Sequence, residues 1–173
     1  MMIDDKRSVI LPVTAAQHGE GTTTIARELA AAAAVAWGGV ALLDASGAGD
    51  GTAGPPLLDT FTRMQEPALR PGWINGVPVA LGRLGGPGHG VPRLAAVRGL
   101  FAWLRSHYTL VVADCAPVLA TRDTPVLAAA ADGTLLVVAA GQTHQAEIGR
   151  ARDVLGQFGA SVLGVVLNKR RRL

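Results

Sequence analysis

This sequence holds one cysteine, one tyrosine and two lysines in 173 residues, and only 17% of it is charged. Each shortage excludes something. Cys115 alone forms no internal disulfide, and the opening MMIDDKR lacks the apolar stretch of a secretory signal, so a reducing cytoplasmic setting is expected. The longest uncharged run near the N-terminus, the fifteen residues from Leu29 to Leu43, is split by Gly38-Gly39. A membrane-spanning helix needs roughly 20 apolar residues, so none is expected there. Aromatic residues make up 4% of the chain, and Trp37, Trp73 and Trp103 form no stacking series for nucleic acid. His18, His89, His107 and His144 fall at no metal-ligand spacing. Against these shortages stands a hydrophobic content of 49%, enough for a buried core, which excludes intrinsic disorder and coiled coil. The length fits one domain over 1–173, ending in a basic tail at 169–173.

The formal charge of +3 is local. Without Lys169, Arg170, Arg171 and Arg172, twelve basic residues face thirteen acidic ones, a net of about −1, so nucleic-acid binding is not expected. Before the tail, the only lysine is Lys6.

Apolar, β-branched runs alternate with helical patterns. Strands are expected at Ser8–Thr14, Val40–Asp44, Val77–Leu84, Thr109–Asp114, Thr134–Ala139 and Val162–Asn168. Helices are expected at Thr22–Trp37, Leu57–Met64, Leu94–His107, Thr124–Ala131 and Thr143–Phe158. The Gly- and Pro-rich stretch from Ala45 to Gly76 is otherwise illegible. Strands apolar along their whole length and separated by helices predict a doubly wound α/β domain, a mostly parallel sheet with helices on both faces. Ligands in such sheets bind beyond the carboxyl ends of the strands.

The chemistry-bearing residues cluster at those ends. The first crossover, VTAAQHGEGTTT, has Gly19 and Gly21 ahead of a helix whose first turn offers Thr22, Thr23 and Thr24. Such a loop presents backbone N–H groups and a helix N-terminus to a phosphate. It also serves as a plain tight turn with threonine capping, and spacing alone leaves both readings open. In a working phosphate loop, G-x-x-x-x-G-K-[ST], the lysine reaches the phosphates and the next hydroxyl binds magnesium. Here Ala16 takes the first glycine position, Thr22 takes the lysine position, and Thr23 keeps the hydroxyl. The second and fourth strands end in Asp44 and Asp114, acids placed to hold magnesium or to cap a loop.

The ordered series GEGTTT, VALLDAS, YTLVVADCAPVLATRD, ADGTLLVVAAGQT and GASVLGVVLNK resembles the bacterial tyrosine kinases of capsule and exopolysaccharide synthesis, within the MinD/ParA-like P-loop class. The resemblance implies a nucleotide site in which Gly19, Glu20, Gly21, Thr22, Thr23 and Thr24 form the phosphate loop. It places Asp44 on the Walker-A′ acid, Asp114 and Pro117 on Walker B, and Asn168 where the class contacts the base. If the site is active, ATP is held with magnesium through Thr23, Asp44 and Asp114, and the two acids are catalytic.

The departures from the pattern point the other way. Thr22 replaces the phosphate lysine, Gln17 stands where some relatives carry a second lysine, and Ser46 replaces the second acid of an Asp-x-Asp pair. Gly47-Ala48-Gly49 replaces an arginine-rich segment, and the tail KRRRL carries none of the tyrosines on which the family autophosphorylates. Tyr108, at the start of a strand, is expected to pack. The seven residues ahead of the first strand leave no room for the ring-forming helix, so ring assembly through that surface is not expected. Lys6 lies at the far end of its strand, and Arg27 lies past the loop and is expected to point poorly. The expected function is a non-catalytic binding or regulatory subunit of a polysaccharide synthesis or export system, with neither cofactor nor metal. The alternative is a divergent, active Mg-ATP-dependent ATPase or kinase. The expected partner is a membrane-bound polysaccharide co-polymerase or synthase subunit. The tail adds weak contact with an anionic membrane, giving a cytoplasmic protein peripheral at the inner membrane.

Overall fold

The computed structural model describes residues 8–47, 54–85 and 91–168. Lys6, Ala48, Gly49, His89 and the tail Lys169 to Arg172 therefore lie outside the described residues. In chain order the elements are β1 (Val9–Ala15), α1 (Thr22–Trp37), β2 (Val40–Ala45), α2 (Leu57–Thr62), β3 (Arg70–Ile74), β4 (Val77–Arg83), α3 (Leu94–His107), β5 (Leu110–Cys115), α4 (Asp123–Ala130), β6 (Thr134–Ala139), α5 (Gln145–Gln157) and β7 (Val162–Asn168). Seven strands form one sheet in the order β3-β4-β2-β5-β1-β6-β7. Every pairing is parallel except β3 with β4, as expected for a doubly wound domain.

The alternation along each strand sorts the core into two faces. Ala41, Leu43, Val111, Ala113 and Cys115 point to one face, where Leu57 of α2, Leu100, Phe101 and Leu104 of α3, and Leu127 of α4 cover them. Leu42, Val112, Val13 and Val137 point to the other face, against Ala26, Ala30, Ala31 and Ala33 of α1. The alanines explain why α1 lies close to the sheet: without long side chains in the seam, the helix backbone approaches it directly. Helix α5 caps a third cluster through Ala151 and Leu155 against Leu136 and Val138.

The structure departs from the sequence expectations at β3, inside the stretch that appeared illegible. It is one arm of a hairpin whose turn is Asn75-Gly76, with φ of 51° and 79°. Both central residues are left-handed, the turn that Asn-Gly favours, so this dipeptide was the available signal. Pro71 masked it, because proline breaks the strand pattern; here it lies on an edge strand. Asn75 Nδ2 donates to Glu28 Oε1 at 3.0 Å and ties the hairpin to α1. Smaller corrections concern helix ends. Helix α2 stops at Thr62, with Met64 left-handed at φ 57°. Helix α5 starts at Gln145 because the Thr143 hydroxyl accepts from Ala139 N–H instead of entering the helix.

Candidate functional site

The carboxyl ends of β1, β2 and β5 meet at the loops read as functional. Between β1 and α1 the chain turns through Gly19 and Gly21, with φ of 80° and 94°, conformations natural to glycine. Helix α1 begins from Gly21 with no side-chain cap, so the threonines do not cap it. Ala16 is fully buried and packs into the α5 cluster, which anchors the loop's entry.

Glu20 organises the loop from inside. It is 4% exposed, and its carboxylate accepts from Gln17 N–H at 3.0 Å and from the Thr143 hydroxyl. Its backbone carbonyl accepts from Asn168 Nδ2 at 2.9 Å. The Asn168 amide lies over Gly21 so closely that any Cβ there would collide with it. Gln17 also reaches α5, donating from Nε2 to Glu147 Oε1 at 3.2 Å. The amide nitrogen of Asn168, the residue expected at a base, is thus engaged in bracing the loop.

The two acids are brought together. Asp44 and Asp114 are direct partners in the parallel register of β2 and β5, so their side chains leave the sheet on the same face, the α1 face. Arg83 of β4 is Asp44's partner on the other side. That arginine escaped the sequence reading, since only strand pairing puts it in the row, and its Nε is buried without a partner. Asp44 is held within its own turn, accepting from Ser46 N–H at 2.9 Å and from Ser46 Oγ at 2.7 Å. The loop after β5 is fixed at Ala116, whose carbonyl accepts from the hydroxyls of Thr14 and Thr124, each at 2.8 Å.

Asp114 is electrostatically unusual. Burial raises its pKa to about 6, the Thr23 hydroxyl lowers it, the Asp44 charge raises it and the Arg27 charge lowers it. One turn after Thr23, Arg27 shares that residue's helix face, and its charge reaches Asp114. Asp114 Oδ1 is buried without a hydrogen-bond partner. An unpaired carboxylate oxygen beside a hydroxyl and a second carboxylate is a donor set that fits a hard divalent cation such as magnesium. The thiol of Cys115 points to the opposite face, and burial, followed by the charges of Asp114 and Asp44, pushes its pKa upward. It is no nucleophile.

A cavity of about 560 Å³ opens at the same strand ends, between β2, α2, α3 and the β5–α4 loop. His18 of the β1–α1 loop, Ser46, Asp59, Arg93, Thr121 and Asp123 supply polar groups to it, while Gly19 to Thr24, Asp114 and Asn168 do not line it. Only the packing of α2 against α3 reveals it, which no local pattern encodes.

No family model matches the chain. YwqD, a tyrosine-protein kinase of Bacillus subtilis (strain 168), is 31% identical over 64 residues, which is 37% of this chain and 27% of that protein. CpsD, a tyrosine-protein kinase of Streptococcus agalactiae, is 25% identical over 187 residues, spanning 95% of this chain and 76% of its own. The chain resembles the bacterial tyrosine kinases. The solved kinase domain of the Escherichia coli tyrosine kinase ETK superposes with a TM-score of 0.76 at 24% identity, covering 99% of this chain and 72% of that one. The fold extends to the MinC:MinD complex of Aquifex aeolicus, with a TM-score of 0.73 at 14% identity over 92% of this chain and 68% of that one. The stretch matched in YwqD is about a quarter of its length. Among the described residues no helix is long and apolar enough to cross a membrane.

Proposed function

We propose that this chain is a non-catalytic relative of the bacterial tyrosine kinases, acting as a binding or regulatory subunit of a capsule or exopolysaccharide synthesis or export system. Its partner is a membrane-bound polysaccharide co-polymerase or synthase subunit, and it needs neither ATP nor magnesium. The observation that carries this reading is Thr22, the first residue of α1, standing where the phosphate lysine belongs. No lysine occurs among the described residues to replace it. Phosphoryl transfer depends almost wholly on positioned charge, and losing one preorganised donor costs on the order of 10²–10³ in rate. Ser46 supports the same reading, because it ties Asp44 into a turn and supplies no second acid. The purified protein, incubated with Mg-ATP, is expected to release no phosphate above a protein-free blank.

A second reading, an active Mg-ATP-dependent ATPase or kinase, is favoured by the unpartnered Asp114 Oδ1. In that case Asp114 and Thr23, with Asp44 beside them, would hold the magnesium ion, which neutralises phosphate charge when bound. Phosphate release abolished by Asp114→Asn would decide for this reading.

Tyr108, the one tyrosine of the 173 residues, is expected to remain unmodified. It is half-buried against the α3 core, its backbone N–H closes α3 on Leu104, and burial raises its phenol pKa. Coexpression with an active kinase of this type, followed by mass spectrometry, should find no phosphotyrosine. Substantial modification would show Tyr108 to be an accessible substrate.

The basic residues Lys169, Arg170, Arg171 and Arg172 support a cytoplasmic protein held loosely at the inner membrane. Near an anionic surface each contributes about 1 kcal/mol, enough for salt-sensitive contact and not for a stable anchor.

A further inference from the structure

The two edges of the sheet are built differently. At one, β3 carries Arg70 and Pro71, features that discourage strand pairing. At the other, β7 has neither charge nor proline, and among the described residues it pairs with β6 alone. Leu163, Val165 and Leu167 on β7 are 60%, 57% and 57% exposed. Their neighbours point inward, Val162 toward the α5 cluster and Val166 toward the α1 cluster. Ala140 N–H donates to the Asn168 carbonyl at 2.8 Å, so Asn168 faces β6. In a parallel strand a residue's N–H and C=O point the same way and successive residues alternate. Leu167 and Val165 therefore direct their backbone groups out of the sheet, up to the bulge opposite Thr134 and Leu135, where the alternation is interrupted. The same residues thus offer unpaired backbone groups and an aliphatic stripe, an arrangement that proteins normally blunt or cover.

We infer that β7 is a docking edge for an added strand from a partner protein, one with aliphatic residues at alternate positions next to an acidic run. Charge selects this occupant. Four basic residues follow Asn168 directly in the sequence. A second copy would bring a second basic run of the same sign and no acidic run to meet this one. An acidic segment beside the aliphatic stripe satisfies both features, as strand addition generally does by combining main-chain bonds with side-chain selection. The inference is independent of whether the loop at α1 uses nucleotide.

The test is fluorescence anisotropy with a labelled synthetic peptide, Val-Thr-Val-Thr-Val-Asp-Glu-Glu-Asp, against one ending in four lysines. The acidic peptide should bind saturably at low salt and weaken at least about fivefold once the Debye length falls to about 8 Å; the basic peptide should not bind. Val165→Pro removes an outward N–H and no bond to β6, and should reduce binding by roughly tenfold or more while the melting temperature stays close to wild type. If that variant fails to fold, Val165→Lys blocks the same edge with the backbone intact and should weaken binding similarly. Deleting residues 169–173 should abolish the preference for the acidic peptide. Equal binding of the two peptides, or no saturable binding of the acidic one, would overturn the inference. So would a dimer seen by light scattering and lost in Val165→Pro, which gives the edge to a second copy. Binding to phosphatidylglycerol vesicles without any to peptide would give the basic residues to the membrane instead.

Discussion

Thr22→Lys should raise the affinity for Mg-ATP by roughly 10- to 100-fold over wild type, the equivalent of the about 1.5–3 kcal/mol that a hydrogen bond to a charged group contributes. The geometry makes this substitution a clean probe. Position 22 opens α1, whose first-turn N–H groups already face the loop, and the residue is only partly exposed. Thr23 and Asp114 remain in place to receive a cation. Thr22→Gln has a similar reach without the charge and should leave affinity near wild type, separating charge from side-chain length. Calorimetry on the three proteins reads the difference. No gain in Thr22→Lys would mean that the missing lysine is not the deficiency, and that the contacts of Glu20 and Asn168 have closed the loop to phosphate.

Asp114→Asn should stabilise the fold at pH 8 by about 2–3 kcal/mol, and the gain should vanish near pH 4. The sign follows from the folded pKa of about 6, above the ordinary value of 3.8. The folded state therefore holds its proton more tightly than the unfolded chain, so the neutral acid is tolerated below pH 4. The penalty for burying the charge grows between pH 4 and 6 and is complete above that range. A shift of about two pH units corresponds to about 3 kcal/mol, and Asp114 is 7% exposed, so solvent screens little of it. Denaturant unfolding of both proteins from pH 4 to 8 gives the difference directly. A pH-independent difference, or a destabilised variant at pH 8, would show that the Asp114 charge is already compensated within the fold.

What the sequence revealed and what it hid divide along a physical line. The parallel strands were legible because burial on both faces demands unbroken apolar runs such as VALLD and LVVAD. The loop at Gly19 and Gly21 was legible because positive φ confines the choice of residue. Features set by pairing between distant strands were not legible. Arg83 enters the acid row only through the β4–β2 register, and nothing near it in sequence announces that. The engagement of Asn168 with Glu20 joins positions 148 residues apart. Strand β3 was hidden because Pro71 contradicts strand propensity, and the Asn75-Gly76 turn outweighs it. The cavity under α2 and α3 depends on how Leu58, Ala96 and Leu127 leave space, a property of packing that no short pattern carries.

The most direct test of the central claim is isothermal titration of the wild-type protein with ATP and magnesium at neutral pH. The account predicts no binding in the micromolar range, because the loop at α1 lacks the cation that holds the phosphates. Micromolar affinity that requires magnesium and is lost in Asp114→Asn would contradict it and establish a working nucleotide site.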